Sequence, residues 1–112
     1  MLVEMRTYVL HAGKTAVFLD AMEREGLAIE RPILGRLLGY YSTEIGTLNQ
    51  IIHLWGYDSF EERTRRRQQL AQDRAWQRFV PTVMPFIRDM HNQLLTPAPF
   101  ASIETLPGKA GT

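Results

Sequence analysis

From Leu2 to Leu10 the chain alternates, with Val3, Met5, Thr7 and Val9 on one side and Glu4, Arg6, Tyr8 and Leu10 on the other. A period of two predicts a β-strand. His11-Ala12-Gly13 interrupts it, and beyond Lys14 the positions Phe18, Leu19, Met22, Gly26 and Ile29 recur at helical spacing. The helix they predict is expected to end before Pro32, because proline disfavours helical geometry in the residue ahead of it. Two further extended stretches, Arg36 to about Thr43 and Gln50 to Tyr57, flank Glu44-Ile45-Gly46-Thr47-Leu48-Asn49 and read as a hairpin. Gly46 suits the positive φ of such a turn, and Asn49 suits the return into the strand.

Asp58 or Ser59 is placed to cap the next helix, with Glu61 and Glu62 in its first turn. Asp73 is a second capping signal, and it opens a segment whose apolar stripe is Trp76, Phe79, Val80, Val83, Phe86, Ile87 and Met90. Pro81 and Pro85 predict a kink or break there. His91 to Thr96 is the last predicted strand, before Pro97-Ala98-Pro99, and residues 101–112 read as a flexible tail after a single domain over 1–100.

The order strand, helix, strand, strand, helix, strand is that of an α+β fold of the ferredoxin-like kind, βαββαβ. Right-handed crossovers close it as a four-stranded antiparallel sheet with spatial order 4-1-3-2 and both helices on one face. The other face is left uncovered, and a second copy packed sheet against sheet is the expected cover, making a homodimer through the sheet face.

A length of 112 residues suits one core. With 45% apolar and 22% charged residues the composition is that of a folded domain. A formal charge of +1 offers no general attraction to nucleic acid or to an anionic membrane, so neither is an expected partner. The chain has no cysteine, which excludes disulfides, thiolate-held metals and thiol catalysis, and fits a reducing compartment. No apolar stretch approaches the roughly 20 residues that span a bilayer, and the opening Met1-Leu2-Val3-Glu4-Met5-Arg6 does not read as a signal peptide; the expected location is cytoplasmic.

Candidate chemistry gathers on the first and third strands. There Arg6 and Tyr8 alternate with Met5 and Val9, and His53, Trp55 and Tyr57 alternate with Ile52 and Leu54. The aliphatic set is expected to meet the helices. The hydrogen-bonding aromatic set then lines the uncovered face, where it reads equally as a pocket for a small apolar or aromatic ligand or as plain dimer interface. His53 is the candidate catalytic group, since an imidazole can give or take a proton near neutrality; the competing reading is a histidine that satisfies a backbone carbonyl. Tyr41, Glu44 and Asn49 join Arg6, Tyr8, Trp55 and Tyr57 as candidate ligand contacts, although Glu44 also reads as a tie for the hairpin.

The three histidines lie on different elements without metal-ligand spacing, so no metal is expected, and no motif calls for a cofactor. Glu61-Glu62-Arg63-Thr64-Arg65-Arg66-Arg67 contains two four-apart ion pairs and reads as a solvated helix face, with Arg63 and Arg67 within reach of carboxylates such as Glu44 or Asp73.

The stretch Leu38-Gly39-Tyr40-Tyr41-Ser42-Thr43-Glu44-Ile45-Gly46-Thr47-Leu48-Asn49, running on to His53-Leu54-Trp55-Gly56-Tyr57, resembles the signature of the NIPSNAP family. Glu4-Met5-Arg6-Thr7-Tyr8 and Gly13-Lys14 resemble that family's opening strand, and Glu62-Arg63, Arg67, Leu70, Asp73 and Trp76 its second-helix pattern, so the likeness covers roughly residues 3 to 100. The resemblance implies a ferredoxin-like fold of the dimeric α+β barrel group. Relatives in that wider group include cofactor-free monooxygenases, isomerases and haem-degrading proteins, whose ligands sit between sheet and helices or inside the barrel. It carries over no catalytic residues. The animal members are mitochondrial, but this sequence shows no Arg- and Ser-rich leader. The resulting expectation is a homodimer with a small-molecule pocket and an unassigned reaction, or alternatively a non-enzymatic interaction or scaffold protein.

Overall fold

The computed structural model describes residues 1–101; the expected tail lies, from residue 102 onward, outside the described residues. Strand β1 (Leu2–Leu10) is followed by α1 (Thr15–Ala21), a wide π-helical turn (Met22–Gly26) and α2 (Leu27–Leu34). Strands β2 (Arg36–Ser42) and β3 (Gln50–Tyr57) form the hairpin, α3 (Phe60–Gln72) and α4 (Arg74–Val83) follow, and a 3₁₀ turn (Met84–Phe86) leads into β4 (Ile87–Leu95). A last 3₁₀ turn covers Pro99–Ala101. All pairings are antiparallel, in the order β2-β3-β1-β4, which is the expected 4-1-3-2 order read from the other edge.

The local signals account for most boundaries. Ser59 caps α3 by accepting from the amide of Glu62 at 3.1 Å, and Asp73 caps α4 by accepting from the amide of Trp76 at 2.9 Å. In the hairpin loop Gly46 has φ 122° and Asn49 φ 62°, and the Asn49 carbonyl accepts from the Leu10 amide at 2.7 Å, tying the loop to the end of β1.

Two boundaries differ from expectation. The first helical segment does not stop before Pro32 but runs through it to Leu34. Leu34 is buried beside Trp55, Tyr57 and Leu70, and Arg66 donates to the Ile33 carbonyl at 2.9 Å, so packing and a side-chain cap outweigh the bond that proline forfeits. At the other end, Ile87 and Met90 do not continue the helical stripe. The helix gives way at Pro85, and β4 begins four residues earlier than the alternation suggests because Ile87 already pairs with Leu10.

A larger correction concerns the two faces of the sheet. Helices cover the face that carries Glu4, Arg6, Tyr8, His53, Trp55 and Tyr57, while Val3, Met5, Ile52 and Leu54 look out from the open face. The expected orientation is inverted. Trp55 and Tyr57 are fully buried against Leu34 and Leu70, and Leu10 and Ile51 pack with Phe18, Met22, Phe79 and Val83. Glu4, Arg6, Tyr8 and Trp55 tolerate this burial because the helical layer and the neighbouring strands supply partners for their polar heads, and a paired polar group loses little on leaving water. The open-face pocket expected from the aromatic set is therefore not formed by those residues.

Candidate functional site

The site is built between sheet and helices, starting from Glu4. Its side chain is fully buried and its two oxygens accept four bonds: from Arg63 Nε at 3.2 Å and Nη2 at 2.9 Å, from Arg6 Nη1 at 3.0 Å and from Asn92 Nδ2 at 2.9 Å. Burial pushes this carboxyl up, but the bonds from Arg63 and Asn92 and the charges of Arg6 and Arg63 outweigh it and hold the group down at about 2. Glu4 is thus a fixed anion that clamps α3 and β4 to β1 and orients Arg6, whose Nε donates to the Tyr8 hydroxyl at 3.1 Å.

His53 lies one strand over, opposite Arg6 in register. Its Nδ1 accepts from the Trp55 indole at 2.8 Å, which leaves the ring proton on Nε2. Burial, followed by the charges of Arg6 and Arg67, depresses the imidazole to about 3, so it is neutral at physiological pH. Tyr40 stacks on the ring at 4.7 Å between centroids, and Tyr8 meets it edge-on at 4.9 Å.

Arg6, Tyr8, Tyr40 and His53 form the floor of a cavity of about 160 Å³. Helix α2 contributes Glu30, α3 contributes Arg67, and the apolar wall comes from Phe18, Met22, Trp76, Val80 and Val83. Four polar atoms of this lining are buried without a hydrogen-bond partner among the described residues: Glu30 Oε1, Tyr40 Oη, His53 Nε2 and Arg67 Nη1. Glu30 is 2% exposed and His53 1% exposed. Burial raises the Glu30 carboxyl to about 7, with the charges of Arg67 and Arg6 working against the rise. Burial likewise raises the Tyr40 hydroxyl well above the usual tyrosine range, with the neighbouring Glu30 carboxyl adding to it. The lining therefore presents three donors and one carboxyl that changes charge near neutrality.

Of the residues singled out from sequence, the fold brings Arg6, Tyr8 and His53 to this cavity and sets Trp55 behind His53. Tyr57 is buried in the second core cluster with Leu34 and Leu70. Tyr41 lies on the open sheet face, half exposed, and Glu44 sits in the exposed hairpin loop; neither lines the cavity, and Asn49 acts through its backbone in the turn. Arg63 reaches neither Glu44 nor Asp73 but Glu4, and Arg67 lines the cavity with Glu30, where its charge acts on that carboxyl. The arginine run is not a solvated strip: Arg63, Arg66 and Arg67 are half-buried on the inward side of α3, with Arg66 also bonded to Glu62 at 2.9 Å.

Glu30, Tyr40, Arg67 and Trp76 were not read as site residues from the sequence. A signal for Glu30 was present: Phe18, Met22, Gly26, Glu30 and Leu34 are spaced by four, and all five are buried. A carboxylate in register with a buried stripe is a candidate for chemistry because an apolar side chain would otherwise occupy that place.

The NIPSNAP family model matches residues 3–102. The chain belongs to the NIPSNAP family. It is 34% identical over 106 residues to the protein NipSnap homolog 3B of Mus musculus, covering 93% of this chain and 42% of the mouse protein, and it spans less than half the length of the curated NIPSNAP relatives it matches. Crystal structures of bacterial NIPSNAP proteins agree with its fold. One from Burkholderia xenovorans superposes with a TM-score of 0.89 at 45% identity, covering 90% of this chain and 88% of the other. One from Agrobacterium tumefaciens has the same TM-score at 43% identity, covering 91% and 97%. This NIPSNAP domain is therefore an α+β domain of the ferredoxin-like kind, and among its described residues no helix is long and apolar enough to cross a membrane.

Proposed function

We propose that the NIPSNAP domain binds a small, largely apolar molecule bearing an oxygen function in the cavity between sheet and helices. The single observation that carries this reading is the convergence of Glu30 Oε1, Tyr40 Oη, His53 Nε2 and Arg67 Nη1, all buried and all unpartnered, on one cavity of about 160 Å³. Each unsatisfied buried polar group costs on the order of 1–3 kcal/mol. Four in one place mark a site that a ligand completes, since an apolar core would have been the less costly filling. The volume matches a single six-membered ring: an engineered cavity of about 150 Å³ takes up benzene.

His53 enters this reading as a hydrogen-bond donor rather than a base. Its Nδ1 lone pair is engaged by Trp55, its Nε2 already carries the proton, and the ring does not protonate near neutrality. The same reading places a second copy against the open sheet face, where Val3, Leu38, Tyr41, Leu54 and Leu95 line an apolar groove. Support for the partner is the apolar character of this groove in a chain whose other sheet face is already covered.

Phenol is a suitable probe, with a ring for the apolar wall and an oxygen for the polar end. Titration followed by ligand-observed NMR and tryptophan fluorescence is expected to show saturable binding with a Kd on the order of 1 mM or tighter. Val80→Phe, which places a ring in the same space, should abolish it while the circular dichroism spectrum stays unchanged. Absence of saturable binding to the wild-type protein removes the proposal.

A further inference from the structure

The polar groups of the cavity are unequal in kind, and their inequality has a chemical direction. Glu30 on α2 and Arg67 on α3 both reach in from the helical layer, whereas Tyr40 and His53 belong to the sheet floor. A ring held against Trp76 and Val80 thus has the carboxyl on its helical side and the Tyr40 and His53 donors on its sheet side. In so small a volume one ligand meets both.

We propose that Glu30 moves a proton on and off the carbon next to a carbonyl, while the Nε2–H of His53 and the Tyr40 hydroxyl hold the carbonyl oxygen. The reaction class is isomerisation of an unsaturated ketone, and the assignment rests on the binding reading above. In the first step the Glu30 carboxylate removes a proton from the carbon between carbonyl and double bond. That C–H bond breaks, an O–H bond forms on Glu30, and the electron pair spreads to the oxygen as a dienolate. In the second step Glu30 returns the proton to the far carbon of the dienolate, the double bond shifts into conjugation, and the carboxylate is regenerated. No oxidant or further reactant is consumed.

Each group suits its role. A general base works best when its pKa lies near the working pH, and burial brings Glu30 to about 7. Donors aimed at an oxygen stabilise it most where water is excluded and the donors are already in place. Tyr40 and His53 are held by their mutual stacking, and His53 by Trp55, before any ligand arrives. His53 donates without giving up its proton, as a neutral electrophile must.

Cyclohex-3-en-1-one, a cyclic ketone close to benzene in size, is the probe, and the ultraviolet absorbance of its conjugated product is the readout. Wild-type protein is expected to accelerate the conversion, and Glu30→Gln to lower the rate at saturating ketone by at least about 100-fold. Glu30→Asp, which retains the carboxyl but draws it back, should fall between the two. The rate above background should rise with pH through about 7 and then level off, because the carboxylate is the active form. The charged and titratable groups around Glu30 are Arg6 and Tyr8 on β1, Tyr40 on β2, His53 on β3 and Arg67 on α3. Of these, His53 and Tyr40 are held far from neutrality, so the inflection belongs to Glu30. If phenol binds and the ketone is not isomerised, or if Glu30→Gln is as fast as wild type, this assignment is wrong and the binding site stands. If phenol fails to bind, both fall.

Discussion

Glu4 and Glu30 are both withdrawn from water beneath the helices, and the difference between them is the company each keeps. Glu4 accepts four charge-assisted or amide bonds, whereas Glu30 faces two arginines without a bond to its Oε1. Their linkage to stability runs in opposite senses. The Glu4 carboxyl is lowered from an ordinary 4.5 to about 2, so it contributes stability that is fully present above pH 4.5 and is lost as the pH falls toward 2. The Glu30 carboxyl is raised from 4.5 to about 7; its contribution is fully present below pH 4.5 and is lost as the pH rises through 7. Thermal denaturation from pH 3 to 8 should separate them. Glu4→Gln leaves Arg63 and Arg6 facing a neutral amide and should cost on the order of 3 kcal/mol at pH 7, shrinking toward pH 3. Glu30→Gln should stabilise the ligand-free protein at pH 8 and be near neutral at pH 5. At this scale the strand residues of the site were legible by type and spacing: Arg6, Tyr8 and His53 stand out in any alternating segment. Their direction was not, because alternation divides a strand into two sets without saying which set faces the helices. The assumption that polar heads prefer the open side failed because Glu4 on the strand and Arg63 on the helix satisfy each other, a pairing 59 residues apart that no local pattern reveals.

The helical layer is organised around one irregular element. Four residues of α-helix turn through roughly 400°, so a stripe spaced by four drifts by about 40° at each step and would swing out of the core within a few turns. The π turn at Met22–Gly26 rotates less per residue and takes up the excess, which lets Phe18, Met22, Gly26, Glu30 and Leu34 all point inward. Gly26 is the tight point of this device. A Cβ there would lie 2.7 Å from Met22 Cε and Sδ and 2.9 Å from Phe79 Cε2, and both side chains are buried. Gly26→Ala gains about 1 kcal/mol of helix propensity but overpacks the core, at about 1–3 kcal/mol. The net expectation is a loss of about 1 kcal/mol in chemical denaturation, with Met22, part of the cavity wall, displaced and phenol binding weakened; a stabilised variant is the opposite outcome. The existence and kind of most elements were legible, as the Ser59 and Asp73 caps and the hairpin signals illustrate. The end of the first helix and the start of β4 were not, because Leu34 and Ile87 owe their states to partners distant in sequence, and tertiary burial overrides local preference at such ends.

At the scale of the whole molecule, the strand order followed from the element order and handedness, and the inversion of the sheet changes what the open face is made of rather than whether it needs cover. Val3, Met5, Ile52 and Leu54 form its middle, flanked by Leu38, Tyr41 and Leu95, with Tyr41 55% exposed. An open antiparallel sheet that faced only water would carry polar residues on that side. Here the β1–β3 part of the open face is apolar, with Asp89, His91 and Gln93 of β4 beside it, and a standard interface needs about 800 Å² from each partner, an area a four-stranded sheet supplies. The proposed homodimer is therefore tested at the centre of this face. The protein should sediment as a dimer, and Leu54→Asp, opposite Met5 in the β1–β3 register, should produce a monomer, because a carboxylate in the middle of an apolar interface is desolvated with no cation beside it. Since the cavity lies on the helical side of the sheet, away from the open face, the Leu54→Asp monomer should still bind phenol. Wild-type protein that sediments as a monomer would assign the apolar face to a different partner, whereas loss of phenol binding on dissociation would mean that the second copy holds the floor strands in place.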